Sequence, residues 1–223
     1  MLIKLLIQYN FMLTTSTGLQ VSSETIIFPL FTFDANKLTF RCRGTGFFIT
    51  QIGGFITAKH VFFENDGSHL PTMYGIQSLD NGMRIVREVV ALFTHNNADI
   101  AIGTLNSKAY DQPIVAPFVP QLMISTKDLN PGDDVITFAY PSTKTDYPSD
   151  TKTQFTFLGN WSDGKIVDYH PSGMNLLRNA CYQTTIHLGD GASGGPVFSE
   201  NLVVGVNSTG MDVGDGEEPI SGI

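Results

Sequence analysis

The chain has 223 residues, 42% of them hydrophobic and 15% charged, an ordinary globular composition with enough apolar material to fold without crosslinks. Thirteen Lys and Arg against 21 Asp and Glu leave a net charge of −8, which argues against the basic face of a nucleic-acid binder. No apolar stretch approaches the roughly 20 residues that span a bilayer, and two cysteines fall short of a disulfide framework, so a cytoplasmic, reducing compartment is expected, with export left open.

Short β-type segments separated by turns run the length of the chain, and 22 glycines and 11 prolines supply the breaks. Residues 1–13 read as a first strand, the alternative being a degenerate export signal, because polar residues soon interrupt the apolar run and no small-residue cleavage site follows. In Gly53-Gly54-Phe55-Ile56-Thr57-Ala58-Lys59-His60, a histidine ends a strand-like apolar run close to a turn, and it is the candidate base. Asn81-Gly82, between residues 72–79 and 83–92, predicts a hairpin. Asp99 stands at the mouth of a short β segment, where it can be buried and still accept a hydrogen bond from an imidazole. Residues 106–120, with three prolines and no period, read as a connector that divides the chain into units of 1–115 and 116–223. A further turn is expected at Ser162-Asp163-Gly164, between residues 155–158 and 165–169. In Gly191-Ala192-Ser193-Gly194-Gly195-Pro196 the glycines permit a tight bend that lifts a serine hydroxyl clear and leaves backbone N–H groups uncovered.

The order His60, Asp99, Ser193 resembles the chymotrypsin-like (trypsin-fold) serine proteases, whose triad is a standard worked example of nucleophilic catalysis. The resemblance extends to three other stretches. Gly44-Thr45-Gly46-Phe47-Phe48-Ile49 is similar to the strand before the histidine strand in bacterial members. Residues 131–141 are similar to the opening strand of the second barrel, and Gly205-Val206-Asn207-Ser208-Thr209-Gly210 to the strand that walls the specificity pocket. The resemblance implies an all-β chain of two six-stranded antiparallel β-barrels with the active site in the cleft between them. His60 and Asp99 would lie on the first barrel and Ser193 on the second. It implies a serine endopeptidase acting through an acyl-enzyme, with Gly191 and Ser193 N–H groups as the oxyanion hole and a peptide or protein as substrate. No cofactor is implied.

Within the resemblance, Ser208, Thr209 and Gly210 are expected to bind substrate. Ser208 has two readings, support of the buried aspartate or a strand serine satisfied locally. His187 falls where the family floors its specificity pocket. A histidine there disfavours cleavage after Lys or Arg, and it either favours polar or acidic side chains or is packed away. Ala192 replaces the aspartate of digestive members that pairs with a freed N-terminus, so activation by N-terminal cleavage is not expected. Val61 follows His60 where secreted relatives carry the cysteine that pairs near Cys42. Both Cys42 and Cys181 are therefore read as buried, unbridged residues. His69, His95 and His170 show no metal-ligand spacing. Two other functions stay open: a self-processing protease domain of a larger protein with domains beyond residue 223, and a catalytically silent binding module.

Overall fold

Phenylalanine and β-branched residues dominate residues 26–62, and in the computed structural model these side chains line the inside of a closed barrel. The structure describes residues 12–34, 39–64, 66–79, 81–109, 121–141, 144–149, 152–174, 177–211 and 220–223. Strands β1 (Met12–Thr14) and β2 (Gln20–Ser22) pair and lead through one helical turn, α1 (Ser23–Ile26), into the barrel. Its strands are β3 (Ile27–Asp34), β4 (Thr39–Phe48), β5 (Gly54–Thr57), β6 (Met73–Ser78), β7 (Arg84–Thr94) and β8 (Ala101–Leu105), closed in the order β3-β4-β5-β8-β7-β6. A 3₁₀ turn over Lys59–Phe62 follows β5.

Barrel closure depends on where side chains are missing as much as on where they are large. Phe55 lies flat over β8 at Gly103, where a Cβ would stand 2.3 Å from the ring. Phe28, Phe48 and Phe55 are fully buried and touch edge-on or tilted at centroid distances of 4.5 and 5.5 Å. Each such ring removed from water contributes roughly 2–3 kcal/mol. The hairpin expected at Asn81-Gly82 joins β6 to β7, with Gly82 at φ +78°.

The remaining strands are β9 (Asp134–Ala139), β10 (Lys144–Ser149), β11 (Lys152–Thr156), β12 (Asn160–His170), β13 (Cys181–Thr184), β14 (Pro196–Ser199), β15 (Leu202–Val206), β16 (Thr209–Met211) and β17 (Ile220–Gly222). Except for the β10–β11 pair, they form one seven-stranded antiparallel sheet, β15-β14-β9-β12-β13-β17-β16, around a second core of Leu129, Val135, Ile166, Ile186 and Val197. The all-β architecture stands: among the described residues the first barrel has six strands, and the main sheet of the second half has seven where six were expected. The edge of β15 is taken by residues 123–125 instead: Val203 N–H donates to Met123 O at 2.9 Å, and Ser125 N–H to Val203 O at 2.8 Å. One residue earlier, Leu122 N–H donates to Phe48 O at 2.9 Å, so this single segment ties the sheet to the barrel.

The turn expected at Ser162-Asp163-Gly164 is absent. These residues lie inside β12, each paired with β9, and a Cβ on Gly164 would stand 2.8 Å from Ile186 N. The glycine there serves close packing of the sheet, which overrides its local turn preference. Residues 1–11 of the expected first strand, and the division between 115 and 116, lie outside the described residues.

Candidate active site

Asp99 leaves the loop before β8 with its carboxylate turned back on the 3₁₀ turn that follows β5. Its Oδ1 accepts from the backbone N–H of His60 at 2.9 Å, and its Oδ2 meets His60 Nδ1 at 2.7 Å. The hydroxyl of Ser208, at the foot of β16, donates to the same Oδ2. The loop is itself pinned: Lys59 N–H donates to Asp99 O at 3.2 Å, and Asp99 N–H to Asn179 Oδ1 at 3.4 Å. Burial works against ionisation of Asp99. The hydrogen bond and charge of His60, with the bonds from Ser208 and the His60 backbone, outweigh it and hold the carboxyl below its ordinary range. An ionised carboxylate only accepts, so Nδ1 of His60 carries the proton shared with Asp99, and in the neutral ring Nε2 is then the acceptor.

The Ser193 turn belongs to the other half of the molecule, between β13 and β14. It is two overlapping reverse turns: Ala192 N–H donates to Gly189 O, and Gly195 N–H to Ala192 O, both at 3.0 Å. The third residue of each turn is a glycine with positive φ, Gly191 at +93° and Gly194 at +86°, the signature of type II geometry. Ser193 occupies the second position of the second turn.

Thr45 of β4 braces this turn from the barrel. Its backbone N–H donates to Ser193 O and its hydroxyl to Gly191 O, both at 2.8 Å, while its hydroxyl oxygen accepts from Tyr140 N–H at 3.2 Å. Gly194 N–H donates to Asn207 O at 2.7 Å, and Asn207 Nδ2 donates to Ala192 O at 3.3 Å. The peptide joining Ala192 to Ser193 is thus held at its carbonyl end by two donors, which fixes the direction of the Ser193 N–H. Among the described residues the N–H groups of Gly191 and Ser193 have no hydrogen-bond partner. They are two free donors beside a serine hydroxyl.

His60, Asp99, Gly191, Ser193, Ser208, Thr209 and Gly210 all line one cleft of about 810 Å³ between barrel and sheet. Ser193 Oγ donates to Ser208 O at 3.4 Å, and among the described residues no hydrogen bond joins it to His60. A family model for the trypsin-like peptidase domain matches residues 44–206, a span that holds both halves of this cleft.

The chain belongs to the trypsin-like peptidase family. It is a serine protease of the trypsin fold, a class whose substrates are peptides and proteins. Among solved structures it is similar to the active form of the Rv3671c protease from M. tuberculosis, at 18% identity and a TM-score of 0.56 over 90% of this chain and 75% of that one. Deg5 matches at 17% identity and 0.57, over 84% and 80%. The HtrA-type protease AlgW with tripeptide matches at 16% and 0.59, over 89% of this chain and 56% of that one. Likeness at this identity speaks for the fold. No curated protein matches the chain.

His187 is exposed and is not among the described residues that line this cleft. The side chains on either side explain this: Ile186 and Leu188 both pack on the second core, so the residue between them turns outward. The two pocket walls lie close, since a Cβ on Gly210 would stand 2.9 Å from Leu188 O. His95 is engaged within its own loop: its Nδ1 accepts from the backbone N–H groups of Asn97 and Ala98 and so shapes the segment that presents Asp99. Cys181 is buried as expected, but Cys42 is only half-buried and lines the cleft, and the two are not bridged.

The sequence reading missed Thr45, Tyr140 and Asn179. Thr45 stands between two glycines in a strand, the one local signal that a neighbour approaches its backbone closely. Tyr140 is buried with its hydroxyl donating to Ile27 O at 3.0 Å, which carries the sheet's hold into the barrel. Nothing local marks Asn179.

Proposed function

We propose that the chain is a serine endopeptidase. Ser193 Oγ attacks the scissile carbonyl while His60 Nε2 takes its proton, and Asp99 holds the ring in that tautomer and stabilises the imidazolium. The oxyanion that forms lies against the N–H groups of Gly191 and Ser193. Collapse breaks the C–N bond, His60 returns the proton to the leaving amine, and the acyl group stays on Ser193 until water, activated by the same imidazole, releases it.

The observation that carries this reading is the convergence of the bonded His60–Asp99–Ser208 cluster and the two free N–H donors on one cleft with Ser193. One observation favours the second reading, a catalytically silent module: the Ser193 hydroxyl bonds Ser208 O and not His60. Catalytic hydrogen bonds are often long or poorly aligned in a free enzyme and tighten only once substrate is bound.

Pre-steady-state hydrolysis of a p-nitrophenyl ester decides between them. The peptidase releases a burst of one nitrophenolate per chain, followed by slower turnover, and Ser193→Ala abolishes it. A native chain with no burst and no turnover belongs to the silent reading.

A further inference from the structure

Charge in the cleft runs against charge in the whole. The chain carries a net charge of −8, yet among the described residues Arg41, Arg43, Lys59 and Arg178 line the cleft against Asp99 and Asp190. Two of these cations are engaged. Arg43 bonds Phe63 O at 2.8 Å and pairs with Glu64 at 3.4 Å, and Lys59 Nζ donates to His95 O at 3.1 Å. Asp99 is committed to His60 and Ser208. Arg41 and Arg178 are exposed, and neither side chain makes a hydrogen bond or ion pair among the described residues.

These two residues come from different halves of the cleft, Arg41 from β4 of the barrel and Arg178 from the segment before β13 of the sheet. Arg41 precedes Cys42, whose Sγ lies 3.7 Å from where a Cβ on Gly191 would be, so β4 runs beside the oxyanion turn at this point. Arg178 precedes Asn179, whose Oδ1 accepts from Asp99 N–H, so this segment runs beside Asp99, in the cleft that Thr209 and Gly210 also line. Exposed Asp190, next to Gly191, also lines the cleft, where it repels an acid at the residue whose carbonyl is attacked.

We propose that the cleft takes polypeptide segments with acidic side chains on both sides of the cut and a non-acidic residue at the cut itself, Arg178 reading the acyl side and Arg41 the leaving side. This specificity rests on the peptidase reading above. The physical reason is field focusing: a planar guanidinium recognises a carboxylate through paired N–H donors, and in a cleft with low-dielectric walls the attraction is screened less than on open surface.

The test uses the full chain and internally quenched peptides that differ only by Glu or Gln, two residues before or two residues after the cut. Wild type should hydrolyse the Glu peptides with a higher kcat/KM, roughly three- to tenfold for each position, with the ratio falling as salt rises. Arg178→Gln should lose the preference on the acyl side alone, Arg41→Gln on the leaving side alone, and Arg→Lys at either position should keep most of it. Equal rates for Glu and Gln peptides in wild type at low salt, or a preference that survives in the double variant, overturns the proposal. The ester burst separates this failure from the other: a burst with no acid preference removes the specificity and leaves the peptidase. If there is no burst, fluorescence anisotropy of the same labelled peptides on Ser193→Ala still decides, tighter binding of the Glu peptides supporting the cationic cleft and equal binding overturning it.

Discussion

The two halves of the cleft are built by different means. On the barrel side, His60 is held by side-chain hydrogen bonds that converge on one carboxylate, and Asp99 spends both oxygens doing so. On the sheet side, Ser193 is held almost wholly by backbone: two type II turns, glycines at the positive-φ positions, and carbonyls anchored by Thr45 and Asn207. The first half is set by charge and the second by shape. Damage should therefore look different in each, with shifts in pH dependence on the barrel side and loss of turn geometry on the sheet side.

Gly194→Ala is expected to do the most harm. A Cβ there would stand 2.0 Å from Thr57 Oγ1 and 2.2 Å from Thr45 O, at a φ that L residues rarely adopt. Neither neighbour has room to move, because Thr57 Oγ1 itself donates to Thr45 O at 2.7 Å inside the barrel. Activity should fall by about 10²–10³ as the Ser193 N–H loses its aim, with a drop of several degrees in Tm by calorimetry. An alanine variant with wild-type kcat would show that the turn is not shape-limited.

Thr45→Val sharpens the comparison, because it keeps the volume and removes only the hydroxyl. The substitution leaves Gly191 O and Tyr140 N–H without their partner in a fully buried position. A buried hydrogen bond lost this way costs about 1–3 kcal/mol, and steady-state kinetics should show a lower kcat with little change in KM. A rise in KM alone would mean that Thr45 contacts substrate and does not act as a brace.

Ser208→Ala probes the charged half and should have the smallest effect on rate, about tenfold or less at neutral pH, since one charge-assisted hydrogen bond is lost while two from His60 remain. Its signature lies in pH. The Asp99 cluster contributes stability that is fully present above the unfolded carboxylate value of about 3.9 and is lost as pH falls through the lower folded value. Removing a bond that lowers that value moves the acid limb of urea-denaturation stability to higher pH. An unmoved acid limb would take Ser208 out of the electrostatic account.

What was legible in the sequence followed the range of the interactions involved. The Ser193 turn announces itself because its glycines serve positive φ angles within six residues, and Asn81-Gly82 does so for the same reason. The family pattern carried His60, Asp99 and Ser208 to the right neighbourhood across gaps of 39 and 109 residues. The local turn signal misled at Gly164, where sheet packing wins. Thr45 lies 146 residues from the carbonyl its hydroxyl holds, so its flanking glycines signal a close approach but not the partner, and Arg41 and Arg178 share a cleft only after folding, with no local pattern to mark them.

The central claim is that the two halves act on one hydroxyl. Labelling with a serine-reactive phosphonate, read by peptide mass spectrometry, tests it most directly: the account predicts an adduct on Ser193 in the native chain and its near disappearance in His60→Ala, with the fold intact by circular dichroism. An adduct elsewhere in the native chain, or one on Ser193 that forms equally fast without the imidazole, would contradict it.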